Sequence, residues 1–341
     1  MSALSVTWFC LVALLLGFYA VMDGFDLGAG MIYGLAKDPE RKKRILHSIS
    51  PFWSGNEVWL LAGIGSLLAA FPPVYSALLS ALYVPVILVL MALIFRACGV
   101  ELRSKTDSPA LARFFDLIIA GGSLLPAWGI GLVAGNVLLG LPLDASGNVE
   151  GSWLFFLHPF ALATGLVSLA AFGLHGSVYV ALKTGGEEGR RFQRQALAWL
   201  GAFAALVLAC ALASPFVLGG RFAASPTLLP FALFALLGLG AYAALFLALR
   251  AGRAVAAFAS SALGLLSLVG MSASLLFPVL LPSRLARAND ISIVVAASPD
   301  ASLRVLLILA LIALPLIAVY TFVAYRSFRA GGQGGASGVL S

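Results

Sequence analysis

Nine apolar runs recur along the chain, each long enough to cross a bilayer as an α-helix, with little sequence between them. A helix rises about 1.5 Å per residue, so about 20 apolar residues cross the hydrocarbon. The runs fall at roughly 6–36, 56–73, 75–97, 114–139, 153–182, 195–218, 227–249, 254–277 and 303–327. Charged residues make up only 10% of the chain, against about 25% in soluble domains. The chain therefore reads as an all-α integral membrane protein. No stretch between the runs is large enough for a soluble ATPase or ligand-sensing module.

The placement of positive charge supports the count. Seventeen of the 21 Lys and Arg residues follow runs one, three, five, seven and nine, and only Arg221, Arg284, Arg287 and Arg304 fall on the other side. Basic loops stay on the cytoplasmic face, so the N-terminus is expected outside and the C-terminus inside. That sorting explains the net charge of +7 without nucleic acid. The basic segment Asp38–Ile49 is expected along the cytoplasmic interface, and the Gly/Ser-rich tail Gly331–Ser341 is expected to be disordered. Cys10, Cys98 and Cys210 lie far apart, so neither a metal site nor a disulfide framework is indicated.

Spans one to four and five to eight form two sets of four, with span nine left over. A faint echo links Asp23–Gly30 in span one to Gly173–Val180 in span five. The expected organisation is a first four-helix bundle over 1–140 and a second over 141–278. An outer loop and ninth span over 279–330 follow, then the tail 331–341.

Two acids, Asp23 and Asp26, lie inside the first span, where an uncompensated carboxylate is costly and usually faces protein or water. At 100° per residue they share a face with Gly30, while Gly17, Gly24 and Gly28 form a second stripe that lets a neighbouring helix come close. Asp26 is expected about 14 Å from the cytoplasmic end of the helix. The acids fit a proton or cation conduit; the plainer reading is that they pair with a base on another helix and serve assembly.

The second constellation runs from Pro51 to Leu60 and contains Trp53, Ser54, Gly55, Asn56, Glu57 and Trp59. Ser54 and Glu57 have the spacing of a capping box. That leaves Asn56 and the tryptophans unexplained, although tryptophans also anchor spans at the interface. Glu57 is a candidate for both cap and ionisable relay. The third constellation is Arg96, Glu101, Arg103 and Lys105. Here Arg96 is expected to snorkel to the headgroups and Glu101 to pair with Arg103 or Lys105. Asp116 and Asn136, each alone, read as helix glue. His158 and His175 share one span seventeen residues apart and cannot clamp one iron, and His47 is in the basic loop, so no haem-holding set is expected here.

Four motifs in order, Val21–Gly30, Pro51–Leu60, Phe71-Pro72 with Tyr75, and Phe95-Arg96 followed by Glu101 and Arg103, resemble subunit II of the cytochrome bd-type quinol oxidases. The likeness is nearest to their shorter, cyanide-insensitive branch. The resemblance implies a bacterial inner-membrane complex that oxidises quinol and reduces dioxygen. Haem b and haem d would sit on a partner, subunit I. Subunit II would be two four-helix bundles plus one helix, contributing acids to a cytoplasmic proton path. Asp23, Asp26, Glu57 and Ser54 are the candidates for that path. Trp53, Asn56, Trp59, Arg96, Glu101 and Arg103 are candidates for packing or quinone contact. A structural quinone or lipid in this chain and small single-span accessory subunits are compatible with such a complex. One departure stands out: the family usually has Asp where this chain has Ser54, and a hydroxyl does not titrate usefully. Glu57, or a water ordered by Ser54, is then expected to take its place. A stand-alone proton- or cation-coupled transporter is the alternative reading.

Overall fold

Proline and glycine punctuate the helices. Pro39, Pro72, Pro109 and Pro159 each stand in the first turn of a helix, where the missing N–H would have no partner anyway. In this computed structural model, which describes residues 1–219 and 227–330, the long helices are α1 (Ala3–Leu35), α5 (Tyr83–Leu102), α6 (Pro109–Leu139), α7 (Pro159–Thr184), α8 (Gly186–Leu218), α9 (Leu228–Arg250), α10 (Ala254–Leu276) and α12 (Asp300–Ala330). Between α1 and α5 come α2 (Pro39–Ile49), α3 (Trp53–Ala70) and α4 (Pro72–Ala81). A two-stranded ladder of β1 (Val279–Leu281) and β2 (Ile291–Ser292) precedes a single turn, α11 (Ile293–Ala296). Arg221 and the tail Gly331–Ser341, both assigned places from the sequence, lie outside the described residues.

Eight helices are long and apolar enough to span, and a ninth span exists if α3 and α4 count as one bent element. The all-helical membrane fold is as expected, but several boundaries move, and α8 begins at Gly186 rather than at 195. The third run does not begin at Tyr75: Pro72–Ala81 is a separate helix turned 118° from α3, and the span starts at Tyr83. The paired prolines at 72 and 73 cannot continue the ladder of α3. Phe71, fully buried at the corner, anchors the turn against the apolar cluster of Trp8, Leu141 and Leu281. The fifth run starts at Pro159; residues 153–157 form a 3₁₀ turn, and the Nδ1 of His158 accepts from the Phe160 N–H at 3.2 Å as the helix cap.

Helix α2 buries Ile45, Leu46 and Ile49 against Phe25, Tyr33 and Tyr179 and leaves Lys43, Arg44 and His47 exposed. The turn from α7 into α8 is short because Gly185 and Gly186 adopt φ +62° and +55°, open to glycine at little cost.

The small-residue stripe of α1 does what its spacing predicts. A Cβ on Gly28 would lie 1.9 Å from the Phe172 carbonyl oxygen, and one on Gly176 would lie 2.4 Å from the Gly28 carbonyl carbon. The backbones of α1 and α7 therefore touch. Gly24 meets the Phe172 ring and Gly17 meets Leu266 of α10. Gly28→Ala is expected to destabilise the bundle by about 3 kcal/mol or more, since neither backbone can yield. The thermal midpoint of the purified protein measures this. The matched control is Gly201→Ala, whose Cβ meets nothing within 4 Å, and it should leave the midpoint unchanged.

Candidate functional site

Close docking of α1 leaves its acids nowhere to go but into the protein. Asp23 and Asp26 are 0% and 1% exposed. Each reaches a different helix. Asp23 Oδ1 accepts a hydrogen bond from Arg96 Nη2 at 2.6 Å, and the same nitrogen donates to Glu57 Oε1 at 2.8 Å. Arg96 of α5 thus bridges α1 and α3, and it is itself buried. The expectation that Arg96 snorkels to the headgroups is therefore corrected. Helix α6 closes over it at Gly122, where a Cβ would lie 2.9 Å from that of Arg96. Two carboxylates solvate the guanidinium better than a climb past α6 would, and a charge at this depth needs such partners.

Asp26 faces α3. Its Oδ2 accepts from Asn56 Nδ2 at 2.8 Å, and Asn56 Oδ1 in turn accepts from the Tyr325 hydroxyl of α12 at 3.1 Å. The amide is satisfied at both ends and is fully buried. Asn56 was the residue that a capping box left unexplained, and Asp26 is the explanation. Tyr325 was not singled out from the sequence. A tyrosine near the basic end of a span reads as an interfacial anchor, and nothing local to it signals the contact with Asn56.

Asp26 Oδ1 and Arg96 Nε and Nη1 have no hydrogen-bond partner among the described residues, and the buried Tyr19 hydroxyl lies beside Asp23. Buried polar atoms are nearly always satisfied. Three carboxyl groups around one guanidinium, with unused donors and acceptors, form a site with capacity for water and for an extra proton.

The capping box does not form. Helix α3 begins at Trp53 with no side-chain cap. Ser54 lies exposed in its first turn, and Glu57 is drawn to Arg96 instead. Trp53 packs against the cluster of Phe25, Ile45 and Ile49. Trp59, 7% exposed, stacks near Phe18 with ring centroids 5.0 Å apart. It lines an apolar cleft of about 350 Å³ between α1, α3 and α12, and its Nε1 has no partner among the described residues.

The third constellation splits. Glu101 pairs with Lys105 at 2.5 Å, both about 60% exposed, an arrangement worth under about 1 kcal/mol. Arg103 Nε instead binds Asp116 Oδ1 at 2.5 Å, while Lys42 Nζ binds Asp116 Oδ2 at 2.7 Å and the Tyr33 hydroxyl donates to the same carboxylate. Asp116 thus clasps α1, α2, α6 and the turn after α5 together at the basic end. Asn136 is the glue it was expected to be, donating to the carbonyls of Leu132 and Phe156. Both nitrogens of His175 are engaged, with Ser261 Oγ at 2.7 Å and the Val21 carbonyl at 3.1 Å.

The chain matches the family model for cytochrome bd terminal oxidase subunit II over residues 4–328. It is 33% identical over 331 residues to cytochrome bd ubiquinol oxidase subunit 2 of Bacillus subtilis, covering 96% of this chain and 97% of that protein. It is 32% identical over 355 residues to cytochrome bd-I ubiquinol oxidase subunit 2 of Escherichia coli K12, covering 94% and 93% respectively. Its fold is similar to a chain in the structure of the bd oxidase from Geobacillus thermodenitrificans, with a TM-score of 0.79 at 18% identity and coverage of 96% and 99%. Those matches span nearly the whole chain, including the acids of α1 and the Arg96 and Asn56 that hold them, and the protein belongs to the cytochrome bd terminal oxidase subunit II family.

Proposed function

We propose that this chain is the subunit of a quinol:oxygen oxidoreductase that packs against a haem-bearing subunit I and brings cytoplasmic protons toward its oxygen-reducing site. The observation that carries the reading is Asp26: fully buried, held by Asn56 through one oxygen, with the other oxygen unpartnered among the described residues. An acid whose second oxygen bonds no described residue can take up a proton without breaking the contact that holds it. Asp23 and Glu57 share Arg96, which fixes the cluster and its charge. Glu57, 27% exposed, stands three residues from Ser54, which is exposed on the first turn of α3.

The basic end is read as cytoplasmic from the sorting of Lys and Arg. The division into four-helix units over 1–140 and 141–278 belongs to the same proposal. Within it α5 packs on α6 and α9 on α10, while α1 and α6 pack on α7 across the boundary between the units. The same reading assigns haem b and haem d to subunit I, and it is supported by His175, which spends both nitrogens on protein partners, and by His158, whose Nδ1 caps α7. The apolar cleft beside Trp59, with its orphaned N–H, fits a structural quinone or a lipid carbonyl. The motif resemblance supports placement in the shorter, cyanide-insensitive branch, which cyanide titration of turnover tests.

The stand-alone transporter reading loses its ground with family membership. The direct test is purification of the complex through a tag on this chain, followed by a reduced-minus-oxidised spectrum. Haem bands on a co-purifying partner, together with quinol-dependent oxygen consumption, are expected. A colourless chain that purifies alone would overturn the proposal.

A further inference from the structure

Asn56, which holds Asp26, also lines a small cavity at the basic end of the bundle. Between the start of α3 and the end of α12 lies a cavity of about 10 Å³, lined by Pro51, Gly55, Asn56, Tyr320 and Tyr325 among others. That is close to the least space that holds one water. On one side of it the Tyr325 hydroxyl donates to Asn56, and Asn56 donates to Asp26. The Tyr325 ring stacks on Phe52, with centroids 4.2 Å apart and planes 14° from parallel. The apolar stretch of α12 lies on the outside of the bundle, so this wall of the cavity is held mainly by contacts at its ends.

We propose that this cavity is the water port through which protons reach Asp26, with Tyr325 as the positioning residue that holds Asn56 across it. An amide side chain neither takes up nor releases a proton at neutral pH, so Asn56 cannot itself relay one. A water in the port carries the proton. When the Tyr325 hydroxyl leaves Asn56 Oδ1, the amide turns and also releases Asp26 Oδ2. The port water takes a proton from bulk water on the basic side as it gives one to the Asp26 carboxylate, so it remains water and the acid becomes neutral. This rests on the proton-delivery reading above and adds the route and its gate.

The test fills the port without touching the acids. Gly55 lines the cavity, and a Cβ there would stand 3.4 Å from the Tyr320 ring, so alanine fits while taking the space of the water. In the purified complex, Gly55→Ala is expected to lower oxygen consumption by about tenfold, a modest share of what a positioned proton transfer contributes. The H₂O/D₂O rate ratio should rise and the haem spectrum should be unchanged. Tyr325→Phe keeps the stack on Phe52 and loses only the hydroxyl, and is expected to shift the pH profile of turnover. Native turnover and isotope ratio in assembled Gly55→Ala would overturn the port. So would an unmoved pH profile in assembled Tyr325→Phe, or loss of assembly in both variants, which would make the contact structural. A slow Asp26→Asn beside a native Gly55→Ala would sink this route while sparing the proton-delivery reading.

Discussion

Arg96→Ala is expected to remove the oxidase from the membrane. The side chain is buried, and a single nitrogen serves Asp23 at 2.6 Å and Glu57 at 2.8 Å. Its loss leaves two carboxylates facing each other across α1 and α3, with a third, Asp26, on the next turn. Breaking a buried pair by removing one partner costs about 3–5 kcal/mol, comparable with the lower part of the roughly 5–15 kcal/mol that holds folded proteins together. Accumulation, read from haem bands in membranes, should fall to near zero, and any purified remnant should melt well below the parent. Arg96→Lys should be intermediate, because a point charge on a flexible stem cannot serve two acids as the planar guanidinium does. A neutral double variant, Arg96→Gln with Asp23→Asn, should recover part of the accumulation, since removing both charges abolishes the uncompensated one. Wild-type accumulation and melting of Arg96→Ala would show that the bridge contributes nothing to the fold.

Asp26→Asn should behave in the opposite way. The substitution is close to isosteric, the Asn56 amide can still donate to the side-chain oxygen, and one charge leaves a cluster that has three acids to one base. Assembly and haem content are expected to be retained. Turnover with saturating quinol and oxygen is expected to fall by about 10²-fold, the lower end of what a positioned proton-transfer group contributes. An assembled variant with full turnover would remove Asp26 from the path. A variant that fails to assemble would give the acid the purely structural role that Arg96 has. Together the two substitutions separate the functions of a cluster whose members lie within a few side chains of each other.

Much of this protein was legible before any coordinates. Apolar run length set the helices, and the sorting of Lys and Arg supplied an expected orientation in the membrane. The Gly17, Gly24 and Gly28 stripe announced a close helix partner, although only the fold showed it to be α7 with α10. Local turn chemistry was less reliable. The Ser54 and Glu57 spacing matched a capping box, yet the helix starts two residues earlier and Glu57 has a charged partner of higher value than a backbone N–H. The run from 75 to 97 looked continuous because hydropathy does not record direction, and the 118° corner at Phe71 leaves composition unchanged.

The sequence by itself determined the class of the fold, the number and order of its spans to within one bent pair, and the acids that had to be compensated. These are local properties: an apolar stretch partitions into hydrocarbon, and a carboxylate in it demands a partner, whatever the rest of the chain does. Only the tertiary structure decided who the partners are. Arg96 lies 73 residues from Asp23, and Tyr325 lies 269 from Asn56. No periodicity links such positions, because side chains from separate helices meet through the packing of backbones, and here that packing is set by where glycines let those backbones touch.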